Sequence, residues 1–294
     1  SSAASDVYKR QIYKDISSRT NGDIYIGVVG PVRTGKSTFI KNFMEMFVIP
    51  NIENEYKQDR AKDELPQSAA GKTIMTTEPK FVPNESVDIT LKNNVHMKTR
   101  LVDCVGYLVS SAVGHMEDDM PRMVKTPWSE EAIPFAKAAE IGTKKVITDH
   151  STIGLVITTD GSITDIDRKD YVEAENKVIR ELKEINKPFV VLLNSTHPED
   201  SSTRSLAKSL SEEHSVQVMP VDIANLTEKD LEQIFERVLD EFPITEIGFK
   251  LPGWFNVLDF NHWLKQDVIE IVKNNFDKDY SIREVNELIV KIKD

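Results

Sequence analysis

The sequence is poor in several features that mark other classes of protein. It has one cysteine, Cys104, in 294 residues, so it cannot form an internal disulfide, and a reducing compartment such as the cytoplasm is favoured. It contains no run of about 18 apolar residues that could span a membrane, and no secretory signal. Basic residues are outnumbered, 37 to 48, and the net charge of -11 disfavours direct binding to nucleic acid or to anionic lipid.

Short apolar runs alternate with helical patterns as far as about Phe242, which predicts an α/β fold with a mostly parallel sheet covered by helices on both faces. The runs are continuous, as in strands that are buried on both sides. The predicted strands are 24–29, 99–105, 153–158, 189–194 and 216–221. Helical periodicity predicts two amphipathic helices over 170–186 and 227–242, and places Val172, Val178, Ile179, Leu182 and Ile185 on the apolar face of the first.

The alternation ends after Pro243, so we predict one domain over 12–242 and the beginning of a second, α+β domain over 243–294 that continues beyond this chain. The last predicted helix, 282–293, opens on a capping box formed by Ser281 and Glu284. Residues 1–11 have little apolar periodicity and are expected to be a non-native segment. The long mixed stretch 107–148 is expected to be a functional or mobile loop.

A phosphate-binding loop is the strongest local signal. Residues 30–37 spell G-x-x-x-x-G-K-S directly after a predicted strand and before a helical pattern. Glycines let the backbone turn its N–H groups towards phosphates, the lysine reaches the β and γ phosphates, and the helix dipole favours the same anion. Arg33 either adds charge near the phosphates or is a solvated surface residue. The predicted nucleotide contacts here are Gly30, Pro31, Val32, Arg33, Thr34, Gly35, Lys36, Ser37 and Thr38.

Hydrolysis also needs a metal and a second acidic group. Asp103 ends an apolar run and begins a D-x-x-G pattern with Gly106, whose amide can approach the γ phosphate because no Cβ stands in the way. Carboxylate and hydroxyl oxygens suit Mg²⁺, so Ser37 and Asp103 are predicted to hold it. Lys36 and Asp103 are predicted to be catalytic.

A threonine-rich stretch, 71–79, lies between the loop and Asp103, where related folds place a switch segment. A threonine there can offer its hydroxyl to Mg²⁺ and its carbonyl to the attacking water. Thr73, Thr76 and Thr77 all qualify, and the alternative is a threonine-rich strand edge. We favour Thr76 and Thr77 as catalytic residues, with Thr77 also on the Mg²⁺.

The residues expected to meet the base indicate adenine. Guanine-nucleotide proteins of this layout carry Asn-Lys-x-Asp after the fourth strand, whereas this chain has Asn194, Ser195 and, in place of the aspartate, His197. Without that carboxylate, a site loses its means of rejecting adenine, which favours ATP over GTP. Asn194 itself is either a neighbour of the base or a strand cap.

Two further residues indicate slow hydrolysis. Tyr107 occupies the position where switch GTPases often hold a water-orienting glutamine, and Val32 stands where many have a small residue. Slow turnover, or turnover completed by another part of an assembly, is therefore expected. A regulatory GTPase switch and a nucleotide-binding scaffold without turnover stay open as alternatives.

Beyond these motifs, the sequence resembles the stage IV sporulation protein A family of spore-coat morphogenetic ATPases in endospore-forming bacteria. The resemblance runs from about Ile12 to the last residues, and its longest block, around 66–83, is far more specific than a phosphate loop. The segments that carry it are 23–30, 32–40, 63–83, 101–107, 140–143, 150–154 and 157–161.

The resemblance implies a P-loop ATPase of the translation-factor GTPase type that couples ATP hydrolysis to its own polymerisation. It implies a role for Lys36 in ATP binding, for Asp103 as the acidic strand-end residue, and for Thr76 and Thr77 as hydrolysis sensors. It also implies that the protein acts in the mother-cell cytoplasm, at the outer forespore membrane. The expected partners are further copies of the chain, a small amphipathic membrane-anchoring peptide and other spore coat proteins, with indirect membrane contact.

Overall fold

The computed structural model describes residues 23–66, 80–91, 95–109, 116–117, 120–126, 129–244, 246–248, 250–276 and 280–293. Contacts between residues divide the chain into a first unit that ends at Val238 and a second unit that begins at Leu239. The expected non-native segment 1–11 and the threonine-rich stretch 71–79 lie outside the described residues.

The described part of the first unit is built on a six-stranded sheet. Its strands are β1 (Asp23–Val29), β2 (Lys80–Leu91), β3 (Val95–Asp103), β8 (Ile153–Thr159), β9 (Phe189–Asn194) and β10 (Val218–Val221). They lie in the order β10-β9-β8-β1-β3-β2 and pair in parallel, except that β2 runs antiparallel to β3 at the edge. Two short hairpins come from β4 (Met116–Glu117) with β5 (Met120–Pro121), and β6 (Met123–Thr126) with β7 (Ser129–Pro134).

From β8 onwards, strands and helices of the first unit alternate, as parallel pairing requires, and the last helix runs two residues past Val238. The helices are α1 (Lys36–Phe43), α2 (Glu55–Asp63), α3 (Phe135–His150), α4 (Arg168–Glu184), α5 (Ser201–His214) and α6 (Glu228–Asp240). A π-helical turn, Met44–Val48, continues α1 directly. The α/β fold with a mostly parallel sheet is therefore confirmed.

The central strands confirm the reading of continuous apolar runs as doubly buried strands. Every residue of β8 and of β9 is buried, and the predicted limits of both strands hold to within one residue. Three other limits were wrong: β3 begins at Val95 and ends at Asp103, and β10 begins only at Val218. The residues after Asp103 leave the strand, which places them beside the phosphate loop.

Two expectations about helices needed correction. On α4, Val178, Ile179 and Leu182 are buried as predicted, but Val172 is 41% exposed and Tyr171 takes the core position instead. The stretch 107–148 is not simply a loop, because α3 occupies its second half. The buried face of α3 consists mainly of small side chains, including Ala138, Ala139 and Gly142. These give a weak hydrophobic pattern.

The described residues of the second unit form three helices: α7 (Gly253–Val257), α8 (Trp263–Asn275) and α9 (Ile282–Lys293). The capping box of α9 is confirmed, since Ser281 N donates to Glu284 Oε2 at 2.9 Å and Glu284 N to Ser281 Oγ at 3.2 Å. Large apolar side chains of α7 and the start of α8 lie in solvent. Trp254, Val257, Phe260 and Trp263 are each more than half exposed.

Candidate functional site

The loop between β1 and α1 has the backbone of a phosphate cradle. Gly30 has φ 137° and Gly35 φ 99°, and Arg33 between them has φ 62°, so left-handed residues turn the chain sharply on itself. Close packing adds to the requirement for glycine: a Cβ on Gly30 would lie 2.2 Å from the Ile157 carbonyl oxygen in β8. The cradle is therefore fixed to the centre of the sheet.

Lys36 is the first residue of α1 and is only 6% exposed. Its ammonium Nζ donates to the carbonyls of Pro31 at 2.6 Å and Gly30 at 3.3 Å, so it folds back over the loop. Burial lowers the pKa of Lys36, and the carboxylate of Asp103 partly opposes this. Within the described part of the chain, the hydrogen-bond partners of this buried cation are carbonyls, which suits it to an incoming anion.

Asp103 lies at the carboxyl end of β3, next to the start of α1. Ser37 Oγ donates to Asp103 Oδ2 at 3.4 Å. Burial raises the pKa of Asp103, while Lys36 and the Ser37 hydroxyl pull it down. A hydroxyl and a carboxylate, adjacent to a phosphate cradle, are the hard oxygen donors that Mg²⁺ takes together with substrate phosphates, so the predicted pair fits this metal.

Gly106 lies directly over the lysine. A Cβ at this position would come within 2.4 Å of Lys36 Nζ and 2.7 Å of the Val32 backbone nitrogen. The close packing around Gly106 thus supports the D-x-x-G motif independently of the sequence, because a side chain here would fill the phosphate cradle.

Asn194 has a structural role that the sequence left open. Its Nδ2 donates to the Thr34 carbonyl at 2.9 Å, and its Oδ1 accepts from the Ile223 amide at 3.1 Å. Both ends of the buried amide are thus taken by backbone groups, one of them in the phosphate loop. Thr34, fully buried, closes the same loop by donating Oγ1 to the Pro31 carbonyl at 3.0 Å. Asn194 pins the loop to the end of β9.

We expect Asn194→Ala to lower the free energy of unfolding by about 2–3 kcal/mol, because it leaves a buried carbonyl at Thr34 and a buried amide at Ile223 unpaired. Urea titration followed by circular dichroism measures this. Asn225→Ala is the matched control, since Asn225 is exposed and its side chain donates to Asp222. Equal stability of the two variants would contradict a pinning role.

Tyr107 does not occupy the position of a water-orienting side chain. Its ring is buried and its hydroxyl donates to Glu181 on α4, while the Lys177 ammonium lies 5.7 Å from the ring centroid. Val32 is buried in the same hydrophobic cluster. Glu181 and Lys177, which contact Tyr107, were not predicted from the sequence, because charged residues on an amphipathic helix normally indicate a solvated face.

The other predicted residues fall into two groups. Arg33 and Thr38 are partly buried at the loop and the first turn of α1, and Pro31 pairs with Tyr107 as an isolated bridge. Thr73, Thr76 and Thr77 lie outside the described residues. His197 is exposed in the loop after β9, and its amide donates to Ser195 Oγ at 3.0 Å.

Asp160, just after β8, is a further polar residue that the sequence did not single out. Its carboxylate accepts hydrogen bonds from Ser162 Oγ at 2.6 Å and Thr203 Oγ1 at 3.3 Å. Burial acts to raise the pKa of Asp160, but hydrogen bonds from Ser162, Ser195 and Thr203 outweigh it and lower the pKa. Asp160 ties the loop after β8 to the β9–α5 connection, where His197 lies.

Cys104 offers a test of how tightly this region is closed. Burial raises its pKa to about 12, and its Sγ donates to the Val28 carbonyl at 3.0 Å. We expect the thiol of the folded protein to react with Ellman's reagent at least ~100-fold more slowly than in guanidinium, since both a thiolate and an opening are needed. Stopped-flow absorbance measures the rates, and a native rate close to the denatured one would show the opposite.

The sequence as a whole matches known protein families. The model of the ATPase domain of stage IV sporulation protein A matches residues 7–243, and the model of its middle domain matches residues 244–294. The chain belongs to the stage IV sporulation protein A family. Members are similar along nearly all of it: 56% identity over 278 residues in Clostridioides difficile and 52% over 281 residues in Bacillus subtilis, covering 95% and 96% of this chain.

Stage IV sporulation protein A of these two bacteria is much longer than the matched region. The alignments cover 57% of each relative, so the chain spans a little over half the length of the curated relatives it matches. The family membership gives this chain an ATPase domain and a role in sporulation. Among the helices that the structure describes, none has the length and apolar character to cross a bilayer.

Solved structures give low similarity to this chain. A GTP-binding protein from Sulfolobus solfataricus in complex with GDP gives a TM-score of 0.41 at 17% identity, covering 81% of this chain and 60% of its own. Translation elongation factor SelB from Methanococcus maripaludis gives 0.39 at 13% identity, covering 76% and 36%. Likeness at this level adds nothing to the strand order and the phosphate loop.

Proposed function

We propose that this chain is an ATP-binding and ATP-hydrolysing structural protein that polymerises into the basement layer of the spore coat. The observation that carries the ATPase part is the group formed by buried Lys36, buried Asp103 and partly buried Ser37 around a left-handed phosphate loop. The polymerising role is supported by family membership, since this family is made of coat morphogenetic proteins.

Each residue of the site has a defined task in this proposal. Lys36 neutralises charge on the β and γ phosphates, and the loop amides and the N-terminus of α1 cradle the same anion. Ser37 and Asp103 would hold Mg²⁺, which would supply positive charge beside the phosphates. Gly106 presents its amide to the γ phosphate. Thr76 and Thr77 act as hydrolysis sensors, with Thr77 on the metal.

ATP is the proposed nucleotide because His197 replaces the aspartate of the guanine-reading motif in the loop after β9. Ser195 is buried and accepts from the His197 amide, while the His197 side chain lies exposed. Neither residue supplies the two acceptors that the guanine edge requires.

The placement of Tyr107 supports the proposal of slow hydrolysis. Its hydroxyl is used by Glu181 in the core, so no side chain at this position orients a water. Slow turnover suits a protein whose hydrolysis accompanies one irreversible assembly step, and we propose that coupling here.

The proposed partners are further copies of the chain, a small amphipathic membrane-anchoring peptide and other spore coat proteins. The proposed location is the mother-cell cytoplasm, at the outer forespore membrane. A net charge of -11 opposes direct adsorption on an anionic bilayer, so an anchoring partner is consistent with the electrostatics.

The test is phosphate release with ATP and with GTP, followed by sedimentation of the products. We expect ATP to be turned over at least tenfold faster than GTP. Asp103→Ala should abolish release and Asp88→Ala, an exposed aspartate on β2, should not. Faster GTP turnover would favour a regulatory switch, and no release from the unmodified chain would favour a scaffold. The Thr76→Ala/Thr77→Ala variant tests whether sedimentation depends on turnover.

A further inference from the structure

Tyr107 joins the nucleotide site to two helices, through its backbone on one side and its side chain on the other. On the backbone side, Tyr107 N donates to the Gly30 carbonyl at 3.1 Å, and its carbonyl accepts from Val32 N at 2.8 Å. The peptide of Tyr107 is thus clamped between two residues of the phosphate loop. It has little freedom to move unless the loop moves too.

The chain between β3 and Tyr107 is shaped by this clamp. The pairing of β1 with β3 ends at Val28 opposite Asp103, and resumes at Pro31 opposite Tyr107. From 28 to 31 the chain advances three residues, whereas from 103 to 107 it advances four. The second segment therefore has one extra residue and bulges. The bulge places Gly106 over the Lys36 ammonium, which a Cβ would approach to 2.4 Å.

The side chain of Tyr107 extends the connection outward. Its hydroxyl donates to Glu181 on α4, and Lys177, one turn earlier on that helix, lies over its ring. Lys177 in turn pairs with Glu140 on α3 at 2.5 Å, and the Glu140 side chain is 44% exposed. An unbroken series of contacts therefore runs from the phosphate loop to the protein surface.

We infer that Tyr107 is a positioning residue, a latch anchored by Glu181 that holds Gly106 against the phosphate loop and links the state of the nucleotide site to α3 and α4. This inference rests on the proposed ATP hydrolysis. The Glu181 carboxylate accepts from the Tyr107 hydroxyl, so the latch depends on a hydrogen bond to a charged group. A phenol is protonated at neutral pH and can donate, and burial raises the pKa of Tyr107 further.

The latch acts on the transition state more than on binding. Most of the affinity for a triphosphate comes from the loop amides and Lys36, which do not depend on the Tyr107 side chain. The Gly106 amide contributes where charge develops on the transferred phosphate, so a looser Gly106 weakens stabilisation there. The signature of a broken latch is a lower kcat with a nearly constant KM.

Tyr107→Phe breaks the hydroxyl bond and keeps the ring. We expect kcat for ATP to fall about tenfold while KM changes less than about twofold. Glu181→Leu should give the same loss, and Glu181→Gln, which keeps an acceptor oxygen, should retain most of the turnover. The double variant Tyr107→Phe/Glu181→Leu should be no slower than either single variant, because both remove one interaction.

Tyr171→Phe is the matched control. Tyr171 is fully buried in the same hydrophobic cluster and its hydroxyl bonds to the Thr164 hydroxyl at 3.0 Å, so the variant also removes one hydroxyl bond from a buried ring. A merely structural role for Tyr107 would lower the melting temperature of both variants alike and leave both kcat values unchanged, which would overturn the latch. Additive losses in the double variant would also overturn it. Failure of the unmodified protein to release phosphate would instead reject the proposed function.

Discussion

The Lys36→Ala variant is expected to lose ATP turnover by at least ~100-fold and to bind ATP far more weakly, because it removes the one cation that folds over the phosphate loop among the described residues. Stability should change little. The ammonium is nearly buried and its pKa is lowered by that burial, so the charge is unfavourable until an anion arrives. Activity and stability should therefore separate in this variant.

Isothermal titration with ATP and Mg²⁺, phosphate release and thermal unfolding together measure these effects. Lys41→Ala is the matched control on the same helix, since Lys41 is 45% exposed and pairs at 3.9 Å with Glu45. It should bind and hydrolyse as the unmodified chain does. Turnover of Lys36→Ala within tenfold of the unmodified protein would show that Lys36 is not the phosphate-binding lysine.

Gly30→Ala is expected to be the most destabilising single methyl addition in the loop, lowering the free energy of unfolding by more than about 4 kcal/mol. Two effects combine. The φ of 137° is one that side chains rarely adopt, and the new Cβ would lie 2.2 Å from the backbone oxygen of Ile157. Since β8 is buried along its whole length, that oxygen cannot move without disturbing the sheet.

Gly253→Ala gives a control for this prediction. A Cβ on Gly253, the first residue of α7, would meet no atom within 4 Å, so alanine there should change stability by less than about 1 kcal/mol. Urea unfolding of the two variants compares a blocked and an open glycine. If Gly30→Ala were as stable as Gly253→Ala, this result would contradict the close contact between the phosphate loop and β8.

The interior strands of the sheet could be predicted from sequence because a strand that is buried on both faces is a continuous apolar run. Strands β8 and β9 are uninterrupted apolar runs, and their predicted limits hold to within one residue. The edge strand β2 is not such a run. It alternates polar and apolar residues only over 87–91, contains Pro83 and carries exposed Asp88, all of which suit an edge and resemble a loop.

The site was predictable to the extent that its chemistry is local. Lys36, Ser37 and the loop glycines follow one another in sequence, and Asp103 and Gly106 form a second short motif. The role of Asn194 required tertiary structure, because its two partners, Thr34 and Ile223, lie far away in the chain and are reached through backbone atoms. The role of Glu181 also required tertiary structure, because the sequence of a helix does not show which buried group each of its residues will contact.

The exposed aromatic side chains of the second unit determine what an optical measurement on this protein reports. The chain has three tryptophans, and the two in the described residues, Trp254 and Trp263, are both more than half exposed in the second unit. In a Trp128→Phe background, intrinsic emission would come from those two indoles alone. A blue shift on adding a partner, or on self-association, would then localise the event to the surface of α7 and α8.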